Sequence, residues 1–281
     1  MRPIVINSHE RPITCVRYNR DGDLVFVGCK DSYVSVWWVN PVERLGTYHC
    51  EAAVSSLSIS EDSRLLLVCN LNGKVLLWDV ETGEKIKEFV VQGLLKGVEF
   101  SLGSRQFFVI ANSGFGATTN TLKVYETDRA LTVKEPQGKV LFQTSTEKLT
   151  VAVWGFLNKA IYVATEKGNL YHIDTTVEGE PINKVNLHER EVTSINFNKD
   201  YTLLISSSKD GFCKVLNPET LEVLKSFNAA RPINRAIFSP LLVTGEKYHA
   251  LCGGGQEARD VTTTKAEQGM FHVSFFNVIE E

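Results

Sequence analysis

The chain has 281 residues and sets 30 Lys and Arg against 33 Asp and Glu, a formal net charge of −3, which supplies no global attraction toward nucleic acid or an anionic membrane. Its hydrophobic residues, 43 % of the total, form no run near the ~18 needed to span a bilayer, and the first seven residues lack the apolar stretch of a secretory signal, so a soluble, intracellular protein without membrane association is expected. Six cysteines (Cys15, Cys29, Cys50, Cys69, Cys213, Cys252) are scattered with no CxxC pair and no glycosylation sequon, which reads as reduced, buried thiols and not as a disulfide framework or metal site; no cofactor is expected.

In chain order, Pro3-Ile4-Val5-Ile6 reads as a short leading strand. Repeat one follows, with strands over 13–18, 24–29, 33–38 and 43–48. Repeat two is the clearest unit: Val54 to Ile59 alternates, Leu65 to Cys69 is an apolar run short enough for a fully buried strand, and Asn72-Gly73 predicts a type I′ hairpin into Lys74 to Trp78. Glu81-Thr82-Gly83 then turns the chain into Lys85 to Phe89. A sheet of four short antiparallel strands cannot bury both faces alone, so copies must stack on it, and Trp78-Asp79 stands where WD repeats carry their signature dipeptide. The unit recurs. Asp31-Ser32, Asn72-Gly73, Lys167-Gly168 and Asp210-Gly211 align, each six residues before Trp37, Trp78, Ile173 and Leu216, at steps of the ~40–45 residues of a propeller blade. Leu122 to Tyr125 and Phe271 to Phe276 fill the same strand position in repeats three and six. The expectation is one all-β domain over 1–281, a WD-repeat β-propeller with four-stranded antiparallel blades and six visible repeats, approximately 8–49, 50–90, 91–143, 144–187, 188–228 and 229–281. Repeat three carries an insertion at 112–120 and a long linker over 127–138; repeat six carries a loop from Gly253 to Gln268.

His9 precedes Asp31 by 22 residues, and His188 precedes Asp210 by the same spacing. In WD blades such a pair is structural: the carboxylate accepts from the imidazole N–H and from turn amides, locking one strand pair to the next. A catalytic dyad would use the same residue types, but no serine or cysteine recurs in sequence beside both pairs to act as nucleophile. Repeat two has Cys50 and Asn72 at these positions, and repeat four Ser145 and Lys167. The glycine-rich Ser113-Gly114-Phe115-Gly116 is followed by no Lys-Ser/Thr, so it reads as a surface loop and not as a phosphate cradle. The first strands of repeats one, two and five, which would line the central channel, carry Thr, Ser and Asn with only Arg17 charged. That is poor material for a propeller enzyme, and no catalytic residue is assigned.

The stretch GGGQEARDVTTT from Gly253 to Thr264, with Gly269-Met270-Phe271, resembles the i-subunit family of eukaryotic translation initiation factor 3. His9 to Thr14, Tyr18 to Leu24, Glu43 to Tyr48 and Ala152 to Gly155 are similar to that family at matching places. Departures are His49-Cys50, where the family has Gly-His, Asn72, where it has Asp, and the lack of a further blade after Glu281. The resemblance implies a seven-bladed ring of which six blades are visible, acting as a cytoplasmic, non-catalytic scaffold. It would hold the b and g subunits together while the complex recruits mRNA and initiator tRNA to the small ribosomal subunit, with no direct sequence-specific nucleic-acid binding. It further implies that a basic helix of the b subunit docks at the turns carrying Asp200 and Asn217, where Asn217 replaces an acid and Glu219 is its neighbouring substitute. The alternative within the class is a WD scaffold for signalling receptors or kinases. Without a final blade, the ring is expected to stay open unless Ile4 to Asn7 joins the sixth blade.

Overall fold

The computed structural model describes residues 9–240, 249–255 and 272–279. The leading strand expected over Pro3 to Ile6, the Ile4 to Asn7 segment expected to join the sixth blade if the ring closes, and the family-like stretch from Gln256 to Phe271 lie outside the described residues. Contacts group the chain into two units, Met1–Ser145 and Thr146–Glu281, each holding three antiparallel sheets among its described residues.

In the first unit, β1 (Ile13–Tyr18), β2 (Leu24–Cys29), β3 (Tyr33–Trp38) and β4 (Glu43–His49) pair in that order, as do β5 (Val54–Ile59), β6 (Leu65–Asn70), β7 (Lys74–Asp79) and β8 (Lys85–Val90). The third sheet is β9 (Leu94–Phe100), β10 (Gln106–Asn112), β11 (Asn120–Glu126) and β12 (Lys139–Thr144), with a short helix α1 (Thr127–Thr132) opening the expected linker. In the second unit, β13 (Leu149–Trp154), β14 (Ala160–Thr165), β15 (Asn169–Asp174) and β16 (Asn183–Asn186) form blade four, with a one-turn 3-10 segment at Phe156–Asn158. Blade five is β17 (Val192–Phe197), β18 (Leu204–Ser208), β19 (Phe212–Leu216) and β20 (Val223–Asn228). Blade six shows β21 (Ile233–Phe238), β22 (His249–Gly254) and β23 (His272–Asn277) among the described residues.

Burial on both faces explains why the second strand of a repeat reads as an unbroken apolar run. Side chains alternate across a strand, so Leu66 and Val68 of β6 enter one core with Phe26, Val34 and Leu57 of blades one and two. Leu67 and Cys69 enter another with Val98, Phe107 and Val109 of blade three. Blade five repeats this, with Leu204 packed toward blade four and Ile205 toward blade six. The first strands are polar for a different reason. Ser56 and Ser58 Oγ accept from the amides of Val98 (3.4 Å) and Phe100 (3.1 Å), and Ser194 Oγ accepts from Ala236 N (2.9 Å). In each case the donor lies 42 residues on, in the next blade, so these hydroxyls stitch neighbours together.

The Asn72-Gly73 turn is not the type I′ hairpin that the dipeptide predicts. Of the two residues only Gly73 has positive φ, 77°, and its N–H donates to Asn70 O (3.3 Å). This is a type I turn closed by a left-handed residue, the usual three-residue hairpin loop. Asn70 selects it: its Oδ1 accepts from the amides of Asn72 (3.1 Å) and Lys74 (3.0 Å). Gly168 (φ 83°) and Gly211 (φ 89°) repeat the geometry, donating to Thr165 O and Ser208 O.

Candidate functional site

In blade one, His9 comes from the loop before β1 and Asp31 from the turn between β2 and β3. His9 Nδ1 lies 2.7 Å from Asp31 Oδ2 and its Nε2 lies 2.9 Å from Ser35 Oγ on β3. An ionised carboxylate can only accept, so Nδ1 carries a proton, and with the ring neutral Nε2 accepts from the Ser35 hydroxyl. Trp37 Nε1 donates to the same Ser35 Oγ (3.0 Å). The chain of donors therefore runs Trp37, Ser35, His9, Asp31, and Asp31 Oδ1 also accepts from Tyr33 N (3.1 Å).

Blade five builds the same relay from different material. His188 Nδ1 is 2.9 Å from Asp210 Oδ2, and Nε2 is 2.9 Å from Ser206 Oγ. Asp210 also accepts from the amides of Glu189 (3.2 Å) and Phe212 (2.9 Å). Burial pushes the Asp210 carboxyl up, yet the Phe212 amide and the imidazole outweigh it and hold the group below its ordinary range. Burial drives His188 the other way, below its ordinary value, against the pull of Asp210, which keeps the ring neutral and its Nε2 an acceptor.

Each histidine thus has a serine within hydrogen-bond reach, contrary to the sequence reading that none accompanies both pairs. Ser35 sits on β3 and Ser206 on β18, the third strand of one blade and the second of the other. The strand register explains how they reach one place: Ser35 lies opposite Val27, and Ser206 opposite Lys214. The connectivity is that of a Ser–His–Asp triad. Access is what differs, since Ser35 and Ser206 are both 0 % exposed and the imidazoles of His9 and His188 are 2 % and 0 % exposed. A carbonyl substrate cannot approach either hydroxyl.

His9, Cys29 and Asp31 also bring their potential ligand atoms within 4.8 Å of one another. Cys29 Sγ donates to Arg11 O (3.0 Å) and accepts from Asp31 N (3.5 Å), and burial pushes its thiol up, toward the protonated form. At the matching position of blade five, Ser208 Oγ donates to Arg190 O (3.3 Å) and accepts from Asp210 N (3.1 Å). A hydroxyl making the same bonds shows that the position serves to tie strand to loop.

Blade four has neither the loop His nor the turn Asp, and the aligned Ser145 and Lys167 do not fill their place. Glu147 does: its carboxylate, 3 % exposed, accepts from Thr165 Oγ1 (2.6 Å), Asn169 Nδ2 (2.8 Å) and the Tyr171 hydroxyl, with Lys184 Nζ at 4.0 Å. Burial alone would push Glu147 up, but these donors hold it below the ordinary glutamate range. Blade two has no imidazole or carboxylate in the relay's place; instead Asn70 Nδ2 donates to Cys50 O (2.8 Å), tying strand to loop. Leu76 stands where blade one has Ser35, and Trp78 Nε1 is buried with no partner among the described residues.

The acidic turns lie elsewhere. Antiparallel pairing in blade five places the 198–203 and 217–222 turns at one end of the sheet. Asp200 and Glu219 are exposed. Asn217 is half-buried, and its Oδ1 is taken by the amides of Glu219 (2.9 Å) and Thr220 (3.4 Å), so of the three residues only the two acids offer free acceptors. At the matching turn of blade four, Phe156 and Leu157 are 59 % and 53 % exposed, and the Phe156 ring lies 5.9 Å from that of Tyr201. The sequence reading missed this pair, though an apolar dipeptide following Gly155 was the available signal.

The family model EIF3I matches residues 1–281. The chain belongs to the eukaryotic translation initiation factor 3 subunit I family. Subunit I of Dictyostelium discoideum is 37 % identical over 279 residues, 99 % of this chain and 82 % of that protein. The Aspergillus terreus subunit I is 36 % identical over 287 aligned positions, covering 100 % of this chain and 83 % of the relative, and that of Schizosaccharomyces pombe is 32 % identical with 100 % and 85 % covered. Among solved structures, the β-propeller domain of Cps50 (Swd1) from Myceliophteria thermophila superposes with a TM-score of 0.72 at 20 % identity, covering 99 % of this chain and 90 % of that one. That likeness establishes the β-propeller fold and nothing about activity. The family membership makes the chain a translation initiation factor 3 subunit.

Proposed function

We propose that this chain is a non-catalytic, cytoplasmic scaffold of the translation initiation factor 3 complex, holding other subunits, b and g among them, while the complex works at the small ribosomal subunit. The observation that carries this reading is where the polar chemistry lies. The serines and imidazoles of both Ser–His–Asp relays are sealed from solvent and serve to lock blades, while Asp200 and Glu219 stand free at one end of blade five. No helix among the described residues is long and apolar enough to cross a membrane.

In this reading a basic helix of the b subunit docks at the 198–203 and 217–222 turns. Its charges meet Asp200 and Glu219, and its apolar side rests near Phe156 and Tyr201. A further blade after the sixth is part of the same proposal. Large apolar side chains are exposed on blade one (Ile13 53 %, Val16 45 %, Tyr18 60 %) and on blade six (Val273 55 %, Phe275 66 %), and such faces call for cover. The test of the docking surface is Asp200→Lys with Glu219→Lys, assayed by pull-down of the carboxy-terminal tail of the b subunit. Loss of an interfacial charge pair costs about 2–5 kcal/mol when buried and mainly slows association when at the rim, so capture should fall at unchanged melting temperature. Undiminished capture by the folded double variant contradicts this site.

A further inference from the structure

In the first unit a cleft of about 530 Å³ opens between β8 and the segment 133–138 that follows α1; its walls include Lys74, Lys87, Glu88, Val90, Lys134 and Gln137. β8 is the last strand of its sheet, with no further strand paired to it among the described residues. Val91 N donates to Gly73 O (2.8 Å), and Phe89 faces Val75 in the ladder. Backbone groups alternate in direction along a strand, so Glu88 and Val90 turn their N–H and C=O groups away from β7, to the cleft side. Val90 is 70 % exposed, more than any other large apolar residue described.

The charges of the cleft are uneven. Lys74 and Lys85 are each held between Glu51 and Glu88, at 2.7 and 3.2 Å for Lys74 and 3.1 and 2.5 Å for Lys85. That four-membered network cancels its own charge. Lys87 and Lys134 make no ion pair with the described residues and face a single further acid, Glu135, in the wall. Unpaired backbone groups at strand spacing ask for another backbone, and two free ammonium groups beside them ask for carboxylates.

We propose that this cleft takes an extended, acidic segment of a partner polypeptide, which pairs along β8 as a fifth strand. The site is independent of the blade-five turns and does not rest on the scaffold reading. The space exists because the β11–β12 linker of blade three, lengthened by α1, stands off from β8; the corresponding linker of blade two, between β7 and β8, is only the 80–84 turn and provides no such strap for β4.

The test uses the full chain and a fluorescein-labelled peptide of five Glu-Val repeats, read by anisotropy at low salt. Saturable binding is expected, weakened about tenfold or more by Lys87→Glu with Lys134→Glu. A similar loss is expected with Val90→Pro, which removes an outward N–H that the sheet does not use and is tolerated on an edge, and with a peptide N-methylated at alternate amides. Melting temperatures establish that the variants are folded; if Val90→Pro is not, the N-methylated peptide carries the same test on the unaltered chain. No saturable binding, or binding indifferent to the two charge reversals, overturns the proposal. Equal affinity for the N-methylated peptide overturns strand pairing and leaves an electrostatic contact only.

Discussion

Asp210 accepts from the His188 imidazole and from the amides of Glu189 and Phe212, three donors that lose their partner together if the carboxylate is removed. Each buried polar group left unsatisfied costs roughly 1–3 kcal/mol, so Asp210→Ala should lower the stability of blade five by at least that much in urea denaturation. An unchanged midpoint would show that water takes over the donors and that the relay does not lock the blade. The pH dependence has a definite sign. Burial holds the folded His188 and His172 below their ordinary values, so the unfolded chain binds more protons in the window beneath about pH 6.5, and stability rises with pH there. The denaturation midpoint should therefore fall between about pH 7.5 and pH 5.5, and His188→Asn should remove part of that fall. The depressed Asp31 and Asp210 add a second loss only below about pH 3.8, as pH falls through their folded values.

At the scale of elements, the strands were legible because alternation and apolar runs report burial directly, and the β6 run has cores on both faces to report. Turn type was not, because Asn70, a strand residue, dictates the 71–73 loop through its side chain and no dipeptide rule contains that. Ser35 and Ser206 were invisible for a related reason: they reach equivalent places from different strands, so no fixed spacing joins them to their histidines. Glu147 escaped because a carboxylate two residues beyond the aligned Ser145 fills the histidine's role. The recurrent glycine after the turn allows a comparison. Gly168 has φ 83°, and a Cβ there would stand 1.8 Å from His188 O, while Gly83 has φ 72° with nothing within 4 Å. Left-handed strain costs about 1–2 kcal/mol at either site, and Gly168→Ala adds a backbone clash. Gly168→Ala should therefore lower the denaturation midpoint more than Gly83→Ala; equal losses would mean that conformational strain alone fixes the glycine.

Across the whole molecule, polar residues divide into those that hold blades to one another and those left free at their ends. The family could be read from the sequence because a stretch of small and charged residues, GGGQEARDVTTT, is specific where a WD repeat is generic; of it, Gly253 and Gly254 belong to β22 and not to the loop expected from Gly253. The residues proposed for docking could be read only in part, since turns favour Asp whatever their role and only the structure distinguishes the free carboxylate of Asp200 from the occupied amide oxygen of Asn217. The central claim is that the chain works as an assembled subunit and not as a lone catalyst or a receptor-associated scaffold. Its most direct test is gentle affinity purification of the tagged full chain with quantitative mass spectrometry of what accompanies it. The account predicts the other translation initiation factor 3 subunits in near-stoichiometric amounts, with the b subunit depleted for Asp200→Lys with Glu219→Lys; recovery of the chain alone, or with receptors and kinases in place of those subunits, would contradict it.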